Sequence, residues 1–142
     1  MYISVAEYSH ILRLQEKDVT LSWVGQISAE PARVYAVAFT SPNEIVLDSG
    51  GPYDPYRWIP RGGIEPGETP EQALRRELRE EADAAIEAKE NLGSQHMVDS
   101  QGRREYHRYY WCRVMLTTQT FPTVESTLRH IIAPDAFLDT LQ

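Results

Sequence analysis

The chain has 142 residues, of which 42% are hydrophobic and 25% charged, and its formal net charge is −7. This is the length of one ordinary domain, with enough apolar content for a core and too much charge for a membrane-embedded protein. No apolar run approaches a membrane span, and MYISVAEYSH has no basic region followed by an apolar one, so a cytoplasmic protein with no membrane attachment is expected.

Residues 1–17 open the chain, and Val5, Tyr8, Ile11 and Leu12 recur there at helical spacing. The pattern predicts a short N-terminal helical extension that covers an edge of the core or contacts a second copy in a homodimer. Val19, Leu21 and Trp23 then alternate as in a strand. Residues 32–40 and 44–49 read as two more strands, joined by a turn at Ser41, Pro42 and Asn43. A loop over 50–55 follows, and Arg57, Trp58, Ile59 and Pro60 lead out of it. Trp58 stands just before a glycine-rich turn, where it could stack on a base or pack in the core.

The next stretch, GGIEPGETPEQALRRELREEADA over 62–84, dominates the chain. Thr69 is suited to cap a helix, Pro70 to its first position, and Gln72 to complete a capping box. Ala73, Leu74, Leu78 and Ala82 supply the apolar stripe. On such a helix Glu77, Glu80 and Glu81 fall within about 100° of one another. Between Glu65 and Glu90 nine acidic residues face four basic ones, a local balance of −5. That excess argues against an extended nucleic-acid footprint, which needs a basic surface. Convergent carboxylates beside a turn suit Mg²⁺ or Mn²⁺, hard cations that bridge carboxylates and phosphates. A solvated acidic face is the alternative on charge alone.

Beyond the helix, residues 85–88 predict a short strand and 89–93 a loop. Asp99, Ser100, Gln101 and Gly102 form a turn, so 96–99 and 105–116 are expected to pair as a hairpin. Arg103, Arg104 and Arg108 could reach distal phosphates or simply face solvent along that turn and strand. Cys112 is the one cysteine and reads as a small buried hydrophobe. His10, His96, His107 and His130 show no ligand-type clustering with it, which argues against a zinc site. Residues 117–126 are a polar loop containing Glu125, 127–132 a last strand, and 134–138 the start of a C-terminal helix. With no repeats or linkers, one α/β domain over 1–142 is expected, a mixed sheet with helices on its faces.

The segment over 62–84 resembles the Nudix box: Gly, five residues, Glu, seven residues, Arg-Glu, an aliphatic, any residue, Glu-Glu, any residue, Gly, an aliphatic. Here these positions are Gly62, Glu68, Arg76, Glu77, Leu78, Glu80, Glu81, Asp83 and Ala84, and only Asp83 departs from the pattern. A motif this long with fixed gaps is far more specific than a short glycine pattern. The resemblance implies an α/β/α sandwich around a mixed β-sheet. It also implies hydrolysis of a phosphoanhydride in a nucleoside diphosphate linked to another group, a nucleoside triphosphate or a dinucleoside polyphosphate.

By the same resemblance Glu77, Glu80 and Glu81 are metal ligands, assisted by a backbone carbonyl near Arg61 or Gly62. Glu77 or the downstream Glu125 is the general base, and Glu68 and Arg76 support the ligands. Trp58, Arg61 and Arg108 are the candidate substrate contacts. The sequence Trp58-Ile-Pro-Arg-Gly-Gly is similar to the box entry of diadenosine polyphosphate and diphosphoinositol polyphosphate hydrolases. A non-catalytic binding or sensor module is the alternative from another functional class.

Overall fold

The computed structural model describes residues 19–50, 56–118 and 128–140. The predicted N-terminal helix and Glu125 lie outside these residues. Among the described residues seven strands form one sheet: β1 (Thr20–Gly25), β2 (Arg33–Ser41), β3 (Glu44–Ser49), β4 (Arg61–Gly63), β5 (Ala84–Val98), β6 (Arg104–Leu116) and β7 (Leu128–Ile132). Helix α1 (Pro70–Ala82) separates β4 from β5, and α2 (Pro134–Thr140) follows β7. The strand order is β1-β5-β6-β2-β3-β7, with β4 pairing beside β3 on the same edge of β2. Every pairing is antiparallel except β2 with β6, so the sheet is mixed.

Alternation along the strands sorts the core onto two faces. Val34, Ala36, Ala38 and Val46 point to one face and pack with Ala73, Leu74, Leu78 and Ala82 of α1. Tyr35, Ile45 and Leu47 point to the other, where Phe137 of α2 closes the layer with Trp58 and Ile59. The result is an α/β/α sandwich around a mixed sheet. Leu74 and Leu78 are fully buried, and each such burial stabilises the fold by about 1.5–3 kcal/mol.

The predicted start of α1 is observed in full. Thr69 Oγ1 accepts from the Gln72 amide at 3.1 Å, and the Gln72 side chain accepts from the Thr69 amide at 2.8 Å. At its far end Asp83 is left-handed, with φ 48° and ψ 49°, and its N–H bonds back to Arg79 O and Leu78 O.

The expected loop over 89–93 is instead part of β5, which runs unbroken from Ala84 to Val98 against β6. The glycine that suggested a loop is the site of a bulge. The register shifts between Asn91 and Gly93, Asn91 Oδ1 accepts from the Gly93 amide, and Gly93 takes φ +127°. A side chain there would strike the Trp23 ring, so the position needs glycine. The hairpin itself forms as expected, closed by Asp99, whose carboxylate accepts from the Gln101 and Arg103 amides.

Candidate active site

Glu77 and Glu81 lie one turn apart on α1, on the side that meets β4, and both are buried, at 6% and 7% exposure. Gly62 sits directly against Glu77, where a Cβ would overlap the carboxylate. Close approach, rather than an unusual backbone angle, is what calls for glycine here. Across the same interface the Arg61 amide donates to Glu81 Oε2 at 3.2 Å. The glycine turn and the helix carboxylates therefore form one site.

Arg76 organises the outer side. Its Nε and Nη2 grip both oxygens of Glu68 at 2.8 and 2.9 Å, and Nη2 also donates to Gly63 O at 2.9 Å. Its Nη1 reaches Glu77 at 2.7 Å and Glu80 at 3.4 Å. This fork–fork geometry is strong and directional. The Arg76 hydrogen bonds, helped by the Glu65 amide, hold the Glu68 carboxyl down at about 2. Arg76 in turn is held firmly protonated.

The inner carboxylates behave oppositely. Burial raises Glu77 to about 7 against the pull of Arg76, and the neighbouring Glu81 adds to the rise. Burial also raises Glu81, and its hydrogen bond and charge contact with Asp48 raise it further. Asp48, 5% exposed on β3, is raised by burial as well, against hydrogen bonds from Glu81 and Arg61. Like charges in a desolvated site cannot all ionise without a countercharge.

Asp48 had no part in the sequence reading. The signal for it was present, since Asp48 is an acid that directly follows the apolar run Ile45-Val46-Leu47 and alternates with the core residue Val46. Its Oδ1 lies 3.5 Å from Arg61 Nη1.

Among the described residues, no three Asp, Glu, His or Cys side chains stand grouped as a ready ligand set. Arg76 draws Glu77 and Glu80 together, while Asp48 and the Arg61 amide engage Glu81. The donors nonetheless fit a hard divalent cation. They are all oxygens, they carry more negative charge than Arg61 and Arg76 cancel, and Gly62 brings its backbone against Glu77.

The structure does not bring the other candidates here. Trp58 is 7% exposed and packs edge-on against Phe137, so it takes the core role and cannot stack on a base. Arg108 donates to Ala29 O at 3.2 Å and hydrogen-bonds Tyr110, whose hydroxyl reaches Glu71 at the helix start. It thus braces the first turn of α1 instead of joining the carboxylates. Arg103 pairs with Asp99 in the hairpin turn, the solvated role. Burial pushes the Cys112 thiol up to about 12, which makes it inert.

A family model described as the NUDIX domain matches residues 29–139. No curated protein matches the chain in sequence. Among solved structures, a pyrophosphohydrolase from Bacillus subtilis superposes with a TM-score of 0.66 at 21% identity, over 80% of this chain and 70% of that one. A NUDIX hydrolase from Nitrosomonas europaea gives 0.55 at 22% identity, over 77% and 76%. A structure from a study of MutT from Aliivibrio salmonicida and Vibrio cholerae gives 0.56 at 18%, over 75% and 81%. At such identities the likeness to these structures is one of fold.

Proposed function

The chain belongs to the NUDIX domain family, and from that premise we propose that it is a divalent-cation-dependent hydrolase of phosphoanhydride bonds in nucleotide-like substrates. One observation carries this reading. Two carboxylates, Glu77 and Glu81, are buried against the Arg61–Gly63 strand with too little positive charge to ionise both. A site built this way is completed by a cation and a polyanion that arrives with it.

In this reading Glu77, Glu80 and Glu81 hold Mg²⁺ or Mn²⁺, with the Gly62 backbone assisting. The cation would neutralise the pyrophosphate and acidify a water for in-line attack. Arg76 keeps the Glu77 and Glu80 carboxylates aimed, and Glu68 anchors Arg76 in turn. Arg61, with a side chain 37% exposed at the rim, meets the substrate phosphates. Glu125 is the candidate base, because a carboxylate already engaged with a cation is a weak one. The substrate classes are nucleoside diphosphate derivatives, nucleoside triphosphates and dinucleoside polyphosphates, handled within one cytoplasmic domain. Among the described residues, no helix is long and apolar enough to cross a membrane.

The test is a panel of nucleotides, dinucleoside polyphosphates and diphosphoinositol polyphosphates assayed with and without Mg²⁺ or Mn²⁺. Cation-dependent release of phosphate-containing products is expected, with Glu80→Gln and Glu81→Gln reducing the rate by roughly 10²-fold or more. Rates within about twofold of wild type in both variants would remove these residues from the cation site. Tight binding without turnover across the panel would instead favour a sensor module.

A further inference from the structure

We propose that Asp48 is a positioning residue for substrate binding, holding the Arg61 guanidinium beside the helix carboxylates in the orientation that receives a substrate phosphate. The inference rests on the reading of the carboxylate cluster as a phosphoanhydride-cleaving site.

Asp48 lies deep in β3, between Leu47 and Ser49, and a carboxylate at 5% exposure must be paired to be tolerated. Its backbone is fixed. Its N–H donates to Trp58 O at 2.8 Å and its carbonyl accepts from the Trp58 amide at 2.9 Å, which pins the chain three residues before Arg61. The side chain then meets Arg61 Nη1 at 3.5 Å, and the same nitrogen donates to Ile59 O at 3.1 Å. Glu81 closes the triangle by accepting from the Arg61 amide at 3.2 Å while hydrogen-bonding Asp48.

One nitrogen of the guanidinium is therefore committed to the protein twice. Among the described residues its Nε and Nη2 have no protein acceptor, and the side chain is 37% exposed. Two parallel N–H donors on an exposed edge match the oxygens of a phosphate. A guanidinium already held in place loses less freedom when it binds. Asp48 supplies that restraint without reaching the substrate itself.

The experiment measures calorimetric binding of Mn²⁺ alone, and of methylenediphosphonate (a pyrophosphate analogue with a non-hydrolysable carbon bridge) in the presence of Mn²⁺. The proteins are wild type, Asp48→Asn, Arg61→Gln and the double variant. Asp48→Asn and Arg61→Gln are each expected to weaken diphosphonate binding about tenfold, and the double variant no more than either alone. Asp48→Asn should keep Mn²⁺ affinity within about threefold, since an amide can still donate to Glu81. With a hydrolysed substrate, KM should rise about tenfold while kcat changes less than about threefold.

Additive losses in the double variant, or unchanged diphosphonate binding in Asp48→Asn, would overturn the proposal. If Asp48→Asn does not fold, Asp48→Glu and Arg61→Gln form the same cycle. Asp48→Glu keeps the charge, so it should bind diphosphonate within about threefold of wild type while Arg61 is present. A tenfold loss in that variant that adds to the Arg61→Gln loss in the double variant would overturn it equally. Failure of wild type to bind either Mn²⁺ or diphosphonate would bring down the site reading itself. Normal wild-type binding with an additive cycle would bring down only the role of Asp48.

Discussion

Arg76 shows how much a single side chain can arrange. Its five N–H donors serve Glu68, Glu77, Glu80 and the Gly63 carbonyl, and only a planar fork can do this from one position. Arg76→Lys keeps the charge and gives up the fork. It is expected to destabilise the protein by about 1–3 kcal/mol in urea unfolding and to lower turnover, because Glu77 and Glu80 lose their common restraint. Stability and activity both close to wild type would show that charge alone suffices. The contact of Arg76 with Glu68 and its neighbouring carboxylates was legible in the sequence because it follows from a fixed spacing. Asp48 was not, because its partners Arg61 and Glu81 are 13 and 33 positions away and only the fold brings them together. Trp58 posed a third kind of difficulty. An aromatic before a turn reads the same whether it faces solvent or core, and Phe137, nearly 80 positions on, decides the matter.

At the scale of elements, α1 was readable from end to end because its signals are local. The cap, the first-position proline and the apolar stripe all lie within the helix or next to it. Its exit is the one place where residue and conformation are at odds. Asp83 is the only non-glycine residue with positive φ among the described residues, and it stands where the family pattern has glycine. Its carbonyl accepts from the Thr117 amide, the Thr117 hydroxyl and Arg129, and these backbone bonds survive a change of side chain. Asp83→Gly is therefore expected to stabilise the fold by about 0.5–1 kcal/mol, read as a higher urea midpoint at unchanged slope. A lower midpoint would mean that the aspartate side chain contributes more than its backbone strain costs. Strand β5 was harder to read than α1. Its middle, Glu87 to Leu92, is half exposed, so the two-residue apolar alternation fades, and Gly93 reads as punctuation. What keeps that segment extended is its thirteen-residue partner β6, a non-local cause.

For the molecule as a whole, the buried carboxylates couple the site to stability. Glu77 is raised from an ordinary 4.5 to about 7. Between those values the folded protein binds more protons than the unfolded chain, so this contribution is complete below pH 4.5 and is lost as pH rises through 7. Asp48 and Glu81, also raised, act with the same sign, whereas Glu68, held at about 2, contributes stability that disappears only in strong acid. Without added cation, wild type should therefore lose stability relative to Glu77→Gln from about pH 4.5 to 7, by on the order of 2–3 kcal/mol. Mn²⁺ at neutral pH should restore it in wild type and much less in the variant. Parallel pH–stability curves for the two proteins, measured by urea unfolding, would contradict this.

The single parallel pairing among the described residues, β2 with β6, bears on the order in which the molecule can assemble. Arg33 pairs with His107 and Phe39 with Arg113, so the contact closes a chain segment that contains β3, β4, α1 and β5. Pairings of such long sequence separation are slow to form, because the entropy of closing the intervening segment must be overcome first. During synthesis the helix with its four glutamates emerges well before Tyr110 and Cys112, which complete the core beneath it. Until β6 arrives, the apolar stripe of α1 has only part of its bed, and the acidic cluster hangs on an unfinished sheet. Catalytic competence is thus a late event in the life of the chain, acquired when its last third docks beside its first.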